Sequence, residues 1–447
     1  MFPEIINPLR LLIHNDKMPD LVVKPSRVSG HLRAQPSKSY THRLLSAALL
    51  SSGKSRLNRP LYSFDTRSTV EAVGFFGGNV SNTEDGWMVE GMGGDLRPGN
   101  SEIDVGNSGT TIRLMTAISC LSSERVRLTG DESILKRPMG PLVDSLRDLG
   151  AFARCEGKKG RPPVVVGEGL EGGSTSITGM VSSQFVSALL MASPFSEVGV
   201  DLGIEEGLKS KPYVKMTLKV LDLVGARIRS GGSLMNFSIP GNQDFEPFEV
   251  DVPGDFSSAA FPLGAGAITG GPVEVTNLDP EDVQGDKRIL RLLREFGADV
   301  NVNGRSVKVS SNGGLTGVDV DCSDTPDLIP ILSVLGAVAE GRTRLYNASH
   351  LRFKEVDRIR ALARELRKMN VEVEEFEDGL EIRGSRSLKG GELDSHGDHR
   401  LLMALSVAGL IAEGGVKIRN AGCMGVSYPD FVDDMQNINA MIELVKC

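Results

Sequence analysis

One pattern recurs along this chain and limits what it can fold into: a helix-like segment ends in glycine and passes directly into a strand. The copies read VEAVGFFGGNV, LVDSLRDLGAFARC, LKVLDLVGARIRS, ILRLLREFGADVNV and LARELRKMNVEVE. The marker falls at Gly78, Gly150, Gly225, Gly297 and Asn370, at separations of 72, 75, 72 and 73 residues. A helix commonly ends on a left-handed residue, which Gly or Asn adopts at least cost. A second strand follows each marker (WMVEG, VVVG, FSIPG, VKVS, LEIRG), and loops such as SNGG and EDGL separate the pairs. The unit is therefore helix, strand, hairpin, strand, with a further helix and strand in the remainder. Six such units would fill nearly all of the 447 residues. The sixth has no clear marker, because the chain stops after the helix-like FVDDMQNINAMIELV. Solenoid repeats run roughly 20–50 residues, shorter than these. The expected class is α/β (α+β), built from repeated small layers.

A chain of this length suits two or three domains. Its net charge of −8 argues against a general affinity for nucleic acid. An acidic protein that binds anionic substrates must concentrate Lys and Arg locally. The five cysteines (120, 155, 322, 423 and 447) are scattered and include no C-x-x-C, which fits a reducing cytoplasm rather than a disulfide framework or a thiolate metal site. No apolar run approaches the roughly 18 residues of a membrane span. The first 17 residues lack signal architecture and read as an extension before the patterned sequence begins.

Polar motifs stand where helices begin. Pro36-Ser-Lys-Ser-Tyr-Thr-His-Arg43 places Lys38 and Ser39 at a helix start, with Arg43 a turn further on. Such a start either carries a simple cap or binds an anion through its N–H groups and dipole. Gly106-Asn-Ser-Gly-Thr-Thr-Ile-Arg113 offers a nest of N–H donors at Gly109, or an ordinary turn and cap. Pro138 would keep Arg137 in a loop, where a fixed guanidinium suits bidentate anion binding. Ser182, Ser183 and Gln184 open an apolar helix as a cap or as ligands for a hydroxylated molecule. Ser210-Lys-Pro-Tyr213 opens another helix, and Gly254-Asp-Phe-Ser-Ser258 reads mainly as a capped re-entry between domains.

Asp327, in Asp324-Thr-Pro-Asp327, has no basic neighbour in sequence; burial would raise its pKa and make it a base. In Arg352-Phe-Lys-Glu-Val-Asp-Arg358, a helix would set Lys354 and Arg358 on one face, needing an anion between them, with Glu355 on an adjacent face. In Asp394-Ser-His-Gly-Asp-His-Arg400 the histidines lack the spacing of a helical metal pair, so Asp398 and His399 are expected to orient Arg400. No metal and no cofactor are expected. Gly53-Lys-Ser55 lacks the earlier glycine of a phosphate-binding P-loop, and Gly167, Gly169 and Gly172 precede no helix.

Taken in order, PSKSYTHR, GNSGTTIR, KRPMG, VSSQF, SKPY, GDFSS, TPD, FKEVDR and GDHR resemble the 5-enolpyruvylshikimate-3-phosphate synthase family of enolpyruvyl transferases, over roughly residues 20–440. The resemblance implies two lobes, each of three β-α-β-α-β-β units, closing over the substrates. One lobe would span 36–252. The other would combine 1–35 with 253–447. The implied reaction moves the enolpyruvyl group of phosphoenolpyruvate to the 5-hydroxyl of shikimate 3-phosphate by addition and elimination. Lys38, Ser39, Arg43, Ser182, Ser183, Gln184, Ser210, Tyr213, Asp327 and Lys354 carry over to shikimate 3-phosphate. Lys38, Gly109, Arg137, Gln184, Arg358 and Arg400 carry over to phosphoenolpyruvate, with Arg113 in support. Asp327 is the expected base. Glu355 with Lys38 would handle the proton at the methylene and the leaving phosphate. No nucleic acid, membrane or partner chain is implied, and a monomer is expected.

The chain departs from the family pattern in places. Gln35-Pro36 replaces Pro-Gly, His350 stands where asparagine is common, and Val426 stands where many members carry lysine. The alternatives are a UDP-N-acetylglucosamine enolpyruvyl transferase, against which Lys38-Ser39 and the cysteine-free KRPMG loop argue, and a non-catalytic phosphometabolite-binding repeat protein.

Overall fold

A computed structural model describes residues 18–312 and 314–446. The proposed extension at residues 1–17 lies outside them. Of the described residues, those up to Gln35 and those from Pro253 onward form one compact unit, and Pro36–Val252 form another.

Each unit holds three four-stranded sheets of one topology. In the clearest, strand Gly173–Gly179 leads through helix Ser183–Ala192 to strand Val200–Leu208. Helix Lys211–Leu223 and the hairpin Arg229–Ser230 with Asn236–Ile239 follow. The first two strands are parallel; the hairpin adds antiparallel, its second strand beside Val200–Leu208. A parallel pair needs a crossover, which the first helix supplies. This is the β-α-β-α-β-β unit, and it occurs six times among the described residues.

Two sheets take their first strand from before a crossing of the chain. Gly30–Arg33 pairs parallel with Val273–Thr276, although Pro36–Val252 intervene in sequence. Glu249–Asp251 likewise pairs parallel with Lys54–Asn58.

The helix-ending glycines have the expected left-handed backbone at Gly150, Gly225 and Gly297, as does Asn370. The first marker needs correction. Gly77, with φ 94°, makes the turn, and Gly78 already leads into the strand. The sixth unit does have a marker, Asn439 at φ 68°. Only Phe431–Asn437 of the terminal segment is helix; Met441–Val445 is a strand. Its hairpin partner is Asp20–Lys24, from the other end of the chain, with Leu21 opposite both Leu444 and Ile418. The last unit is completed by the first strand, so its pattern could not be read as one stretch.

The first helix of each repeat is apolar on nearly all sides and buried. In the unit holding Pro253, helices Phe256–Thr269, Ile329–Val338 and His399–Gly409 pack on one another beneath the sheets. Among the described residues no helix is long and apolar enough to cross a membrane.

Candidate active site

The polar motifs sit at helix starts, some at these buried first helices and others, such as SKPY and FKEVDR, at the second helices of their repeats. In the unit Pro36–Val252, Ser37 caps helix Lys38–Leu50. Lys38 is already ion-paired, its Nζ 2.8 Å from Asp65 Oδ2, and its ammonium has N–H donors beyond that one contact. Asp65 comes from the first turn of helix Phe64–Phe75, which opens with a Ser63/Thr66 capping box. Burial works against the Asp65 charge, but Lys38 and His42 outweigh it and hold the carboxyl well below its usual range. Ser108, the cap of helix Gly109–Ser119, donates to Asp65 Oδ1. His42 Nε2 lies 3.4 Å from the same oxygen. A buried chain of hydroxyls closes the network, from His42 Nδ1 to Thr69 Oγ1 (2.7 Å), on to Thr111 Oγ1 (2.7 Å), and back to Ser108 Oγ (2.6 Å). The PSKSYTHR and GNSGTTIR motifs are thus one assembly. Asp65 and His42 were not singled out in the sequence, although the capping box ahead of a first-turn carboxylate marked the place.

Arg43 is 1 % exposed. Its Nε donates to Thr217 Oγ1 at 2.8 Å and its Nη1 to the Ser39 carbonyl at 2.9 Å. Nη2 donates to the Tyr213 carbonyl at 3.2 Å and to Ser187 Oγ at 3.4 Å. Arg43 therefore ties together the helices that begin at the PSKSYTHR, VSSQF and SKPY motifs. Among the described residues it has no carboxylate partner, and burial pulls its pKa down to about 10.

Arg137 follows the 3-10 turn Ile134–Lys136 in extended backbone, as Pro138 requires. A Cβ at position 109 would overlap Arg137 Nη1, so Gly109 is what lets the guanidinium lie against the helix start. Arg113 Nη1 donates to Gln184 Oε1 at 2.6 Å, and Gln184 Nε2 donates to Thr110 Oγ1 at 3.0 Å. Ser182 caps the helix that Ser183 begins. Ser210 takes a left-handed conformation at φ 55°, just before helix Lys211–Leu223.

The other unit holds a second cluster. Arg358, also 1 % exposed, donates to three carboxylates: Asp398 Oδ2 at 2.7 Å, Asp327 Oδ1 at 2.9 Å and Glu355 Oε2 at 2.9 Å. Arg400 Nη2 holds the other oxygen, Asp327 Oδ2, at 2.8 Å. Burial opposes the Arg358 charge, yet Asp398, Glu355 and Asp327 outweigh it and raise the pKa above the ordinary arginine value. Three sequence expectations change here. Asp327 has two basic partners, brought from 31 residues and further along the chain. Lys354 and Arg358 do not share a helix face, because Asp357 caps a helix that starts only at Arg358. Asp398 caps helix His399–Gly409 by accepting from the backbone of Arg400 and Leu401, but its ion-pair partner is Arg358. The expected cap at Asp255 is present, accepting from Ser257 N at 2.9 Å. His396 pairs with buried Glu365 at 2.9 Å. His350 is buried, and Val426 ends the 3-10 stretch Ala421–Val426.

One carboxylate near this cluster was missed. Asp286, in the 3-10 turn Gly285–Arg288, is 2 % exposed and accepts from Ser257 Oγ at 2.5 Å. Burial and the Asp327 charge push it up to about 7. Nothing in GDKR marks it in sequence. The four described cysteines are free, and burial pushes Cys120, Cys322 and Cys423 up to about 12, which makes them poor nucleophiles.

Fold and clusters together define a class: a repeat-built α/β protein whose helix starts gather lysine, arginine, hydroxyl and carboxylate groups suited to anionic substrates. The family model for EPSP synthase (3-phosphoshikimate 1-carboxyvinyltransferase) matches residues 22–435. The 3-phosphoshikimate 1-carboxyvinyltransferase of Methanocaldococcus jannaschii is 41% identical over 428 residues, covering 95% of this chain and 99% of that one. That of Methanocella arvoryzae is 45% identical over 424 residues, covering 94% and 99%. The solved EPSP synthase of Acinetobacter baumannii superposes with a TM-score of 0.79 at 28% identity, covering 96% of this chain and 100% of that one. The chain belongs to the EPSP synthase family.

Proposed function

We propose that the two clusters divide the work of one carboxyvinyl transfer, with phosphoenolpyruvate as donor and 3-phosphoshikimate as acceptor. The activity follows from the family, whose relatives carry that name over nearly the whole chain. The residue roles are our own reading. The observation that carries them is the pairing of Asp327 with both Arg358 and Arg400. Two guanidinium groups fixed by one carboxylate form a preorganised fork for a doubly anionic donor. Arg358, Arg400 and Arg137, with Lys38, Gly109 and Gln184, bind phosphoenolpyruvate. Lys38, Ser39, Ser182, Ser183, Gln184, Ser210, Tyr213, Asp327 and Lys354 serve the phosphorylated acceptor. Arg43 acts on the acceptor through the helix starts it ties together.

Asp327 takes the proton from the acceptor hydroxyl as its oxygen attacks the enol carbon. Each carboxylate oxygen keeps lone-pair capacity beyond the arginine it already meets. Glu355 passes a proton drawn from solvent to the methylene carbon and takes one back from the resulting methyl as phosphate leaves, with Lys38 neutralising the leaving group. Val426 adds no charge, so the positive charge for donor binding comes from the arginines and Lys38. A reducing cytoplasm fits the scattered free thiols, and the chain is read as a monomer.

The test is phosphate release from phosphoenolpyruvate with 3-phosphoshikimate, run beside UDP-N-acetylglucosamine. Release with 3-phosphoshikimate alone is expected. Release only with the nucleotide sugar, or with neither from folded protein, overturns the assignment.

A further inference from the structure

Around Arg358 and Arg400, two guanidinium groups meet three carboxylates in direct ion pairs among the described residues. A substrate anion arriving there adds negative charge to a largely buried site. At a few ångströms each like-charge pair costs several kcal/mol even at an effective dielectric near 20. The least costly relief is to protonate the carboxylate that no cation holds. Asp327, Glu355 and Asp398 are each bonded to arginine. Asp286 differs: one oxygen has only the Ser257 hydroxyl, and its buried Oδ1 has no hydrogen-bond partner among the described residues.

We propose that Asp286 is a positioning residue that takes up one proton when an anion binds Arg400, so that Asp327 stays ionised as base. This rests on the reading of Arg400 as a phosphoenolpyruvate ligand. The proton comes from solvent, adds to Asp286, and returns when the anion leaves, so no net proton is consumed. The groups facing Asp286 are consistent with this. Asp327 and Asp255 disfavour its charge, while Arg400 and the Ser257 hydroxyl favour it. An anion that neutralises Arg400 removes one of the two supports. The neighbouring cations are engaged elsewhere. Lys287 donates to the Pro280 carbonyl, Arg288 to the Asp321 carbonyl, and on the following helix Arg291 pairs with Glu295 while Arg294 meets the Val300 carbonyl. Near neutrality Asp286 already lies within reach of protonation, its pKa raised to about 7 by burial and Asp327.

The experiment measures KM for phosphoenolpyruvate from pH 6 to 8.5 at saturating 3-phosphoshikimate. It is paired with calorimetric titration of phosphoenolpyruvate into the full-length protein, in buffers of low and high ionisation enthalpy. In the wild type KM should rise towards about tenfold per pH unit above the limb, with proton uptake on binding. In Asp286→Asn the limb and the uptake should vanish. An unchanged limb and uptake in that variant overturn the proposal. Ser257→Ala, which removes the one hydroxyl favouring the charged form, should move the limb to higher pH, and an unmoved limb counts against the proposal even if Asp286→Asn fails to fold. Arg400→Met separates the two readings. Unchanged phosphoenolpyruvate affinity there removes Arg400 from the site, whereas lost affinity with an unchanged Asp286→Asn limb rejects only the proton coupling.

Discussion

Two arginines, one in each compact unit, are equally buried and solve the same problem in opposite ways. Arg43 is held by hydroxyls and carbonyls alone, and burial lowers its pKa to about 10. Arg358 is held by three carboxylates, which overcome burial and raise its pKa. Among the described residues Arg43 thus has no carboxylate partner, while Arg358 and Arg400 share ion pairs with Asp327, Glu355 and Asp398. A phosphate dianion would be welcomed electrostatically near the first. Near the second, where Arg358 and Arg400 already meet carboxylates, the proton uptake proposed for Asp286 would accompany it. On the proposed roles the two clusters would bind their anions by different means, Arg43 lying within the first helix of its repeat and Arg358 opening the second helix of its own.

The sharpest way to break this comparison is to remove each charge with a side chain of similar length. Arg358→Met leaves three carboxylates facing one another, and losing one partner of a buried pair costs about 3–5 kcal/mol. Arg43→Met loses hydrogen bonds but also removes a desolvated charge, so its cost should stay below about 2 kcal/mol. Denaturant unfolding, with the transitions of the two units resolved, measures both. Equal costs would mean that the carboxylate ring adds nothing to the stability of its unit.

Turnover gives the next largest effect. Asp327→Ala should lower kcat by about 100-fold or more while 3-phosphoshikimate still binds measurably. Lys38→Met should impair binding and turnover together, because its partner Asp65 then loses its lysine and keeps only Ser108 and His42 among the described residues. Near-normal turnover in Asp327→Ala would remove it as base. It would leave the carboxylate ring as architecture only.

The pH dependence of stability should also differ between the units. Asp65 has a depressed pKa, so its contribution is present above the ordinary carboxylate range, near 4, and is lost as pH falls below it. Asp286 has a raised pKa, so the folded state binds its proton more tightly than the unfolded chain does. Its contribution is full below about 4 and is lost as pH rises to about 7. Unfolding followed across pH should lose its acid slope in Asp65→Asn and its slope between these values in Asp286→Asn. Matching slopes in both variants would refute the opposite signs.

What the sequence made legible follows the range of the physics. The period showed because a left-handed turn at a helix end is local and selects Gly or Asn at the marker itself. Asn439 is no weaker a signal than Asn370, but its closing strand, Asp20–Lys24, lies at the other end of the chain. The motif residues were legible because helix starts advertise themselves with caps. Their partners were not. Thr217 is 174 residues from Arg43, and Asp398 is 40 from Arg358. Asp286 shows only a turn-like GDKR, and its importance comes from neighbours that tertiary packing supplies. A reading of Asp327 as unpartnered was correct along the chain and wrong in space.

The smallest expected effect tests whether the neutral ring around Arg43 acts as one body. Ser187 Oγ accepts from Arg43 at a long 3.4 Å and from Thr217 Oγ1 at 2.8 Å, so it links two members of the ring without being the main ligand of either. If the bonds are independent, Ser187→Ala should cost about 1 kcal/mol and leave KM for 3-phosphoshikimate near the wild-type value. If they support one another, the loss frees Thr217 to turn, loosens the hold of Arg43 on the helix starting at Ser183, and raises that KM. A double-mutant cycle with Thr217→Val separates the cases, since independent bonds add and a shared network does not. Additivity would mean that Arg43 is held by its two short bonds alone, and that the contrast with Arg358 is one of charge and not of cooperativity.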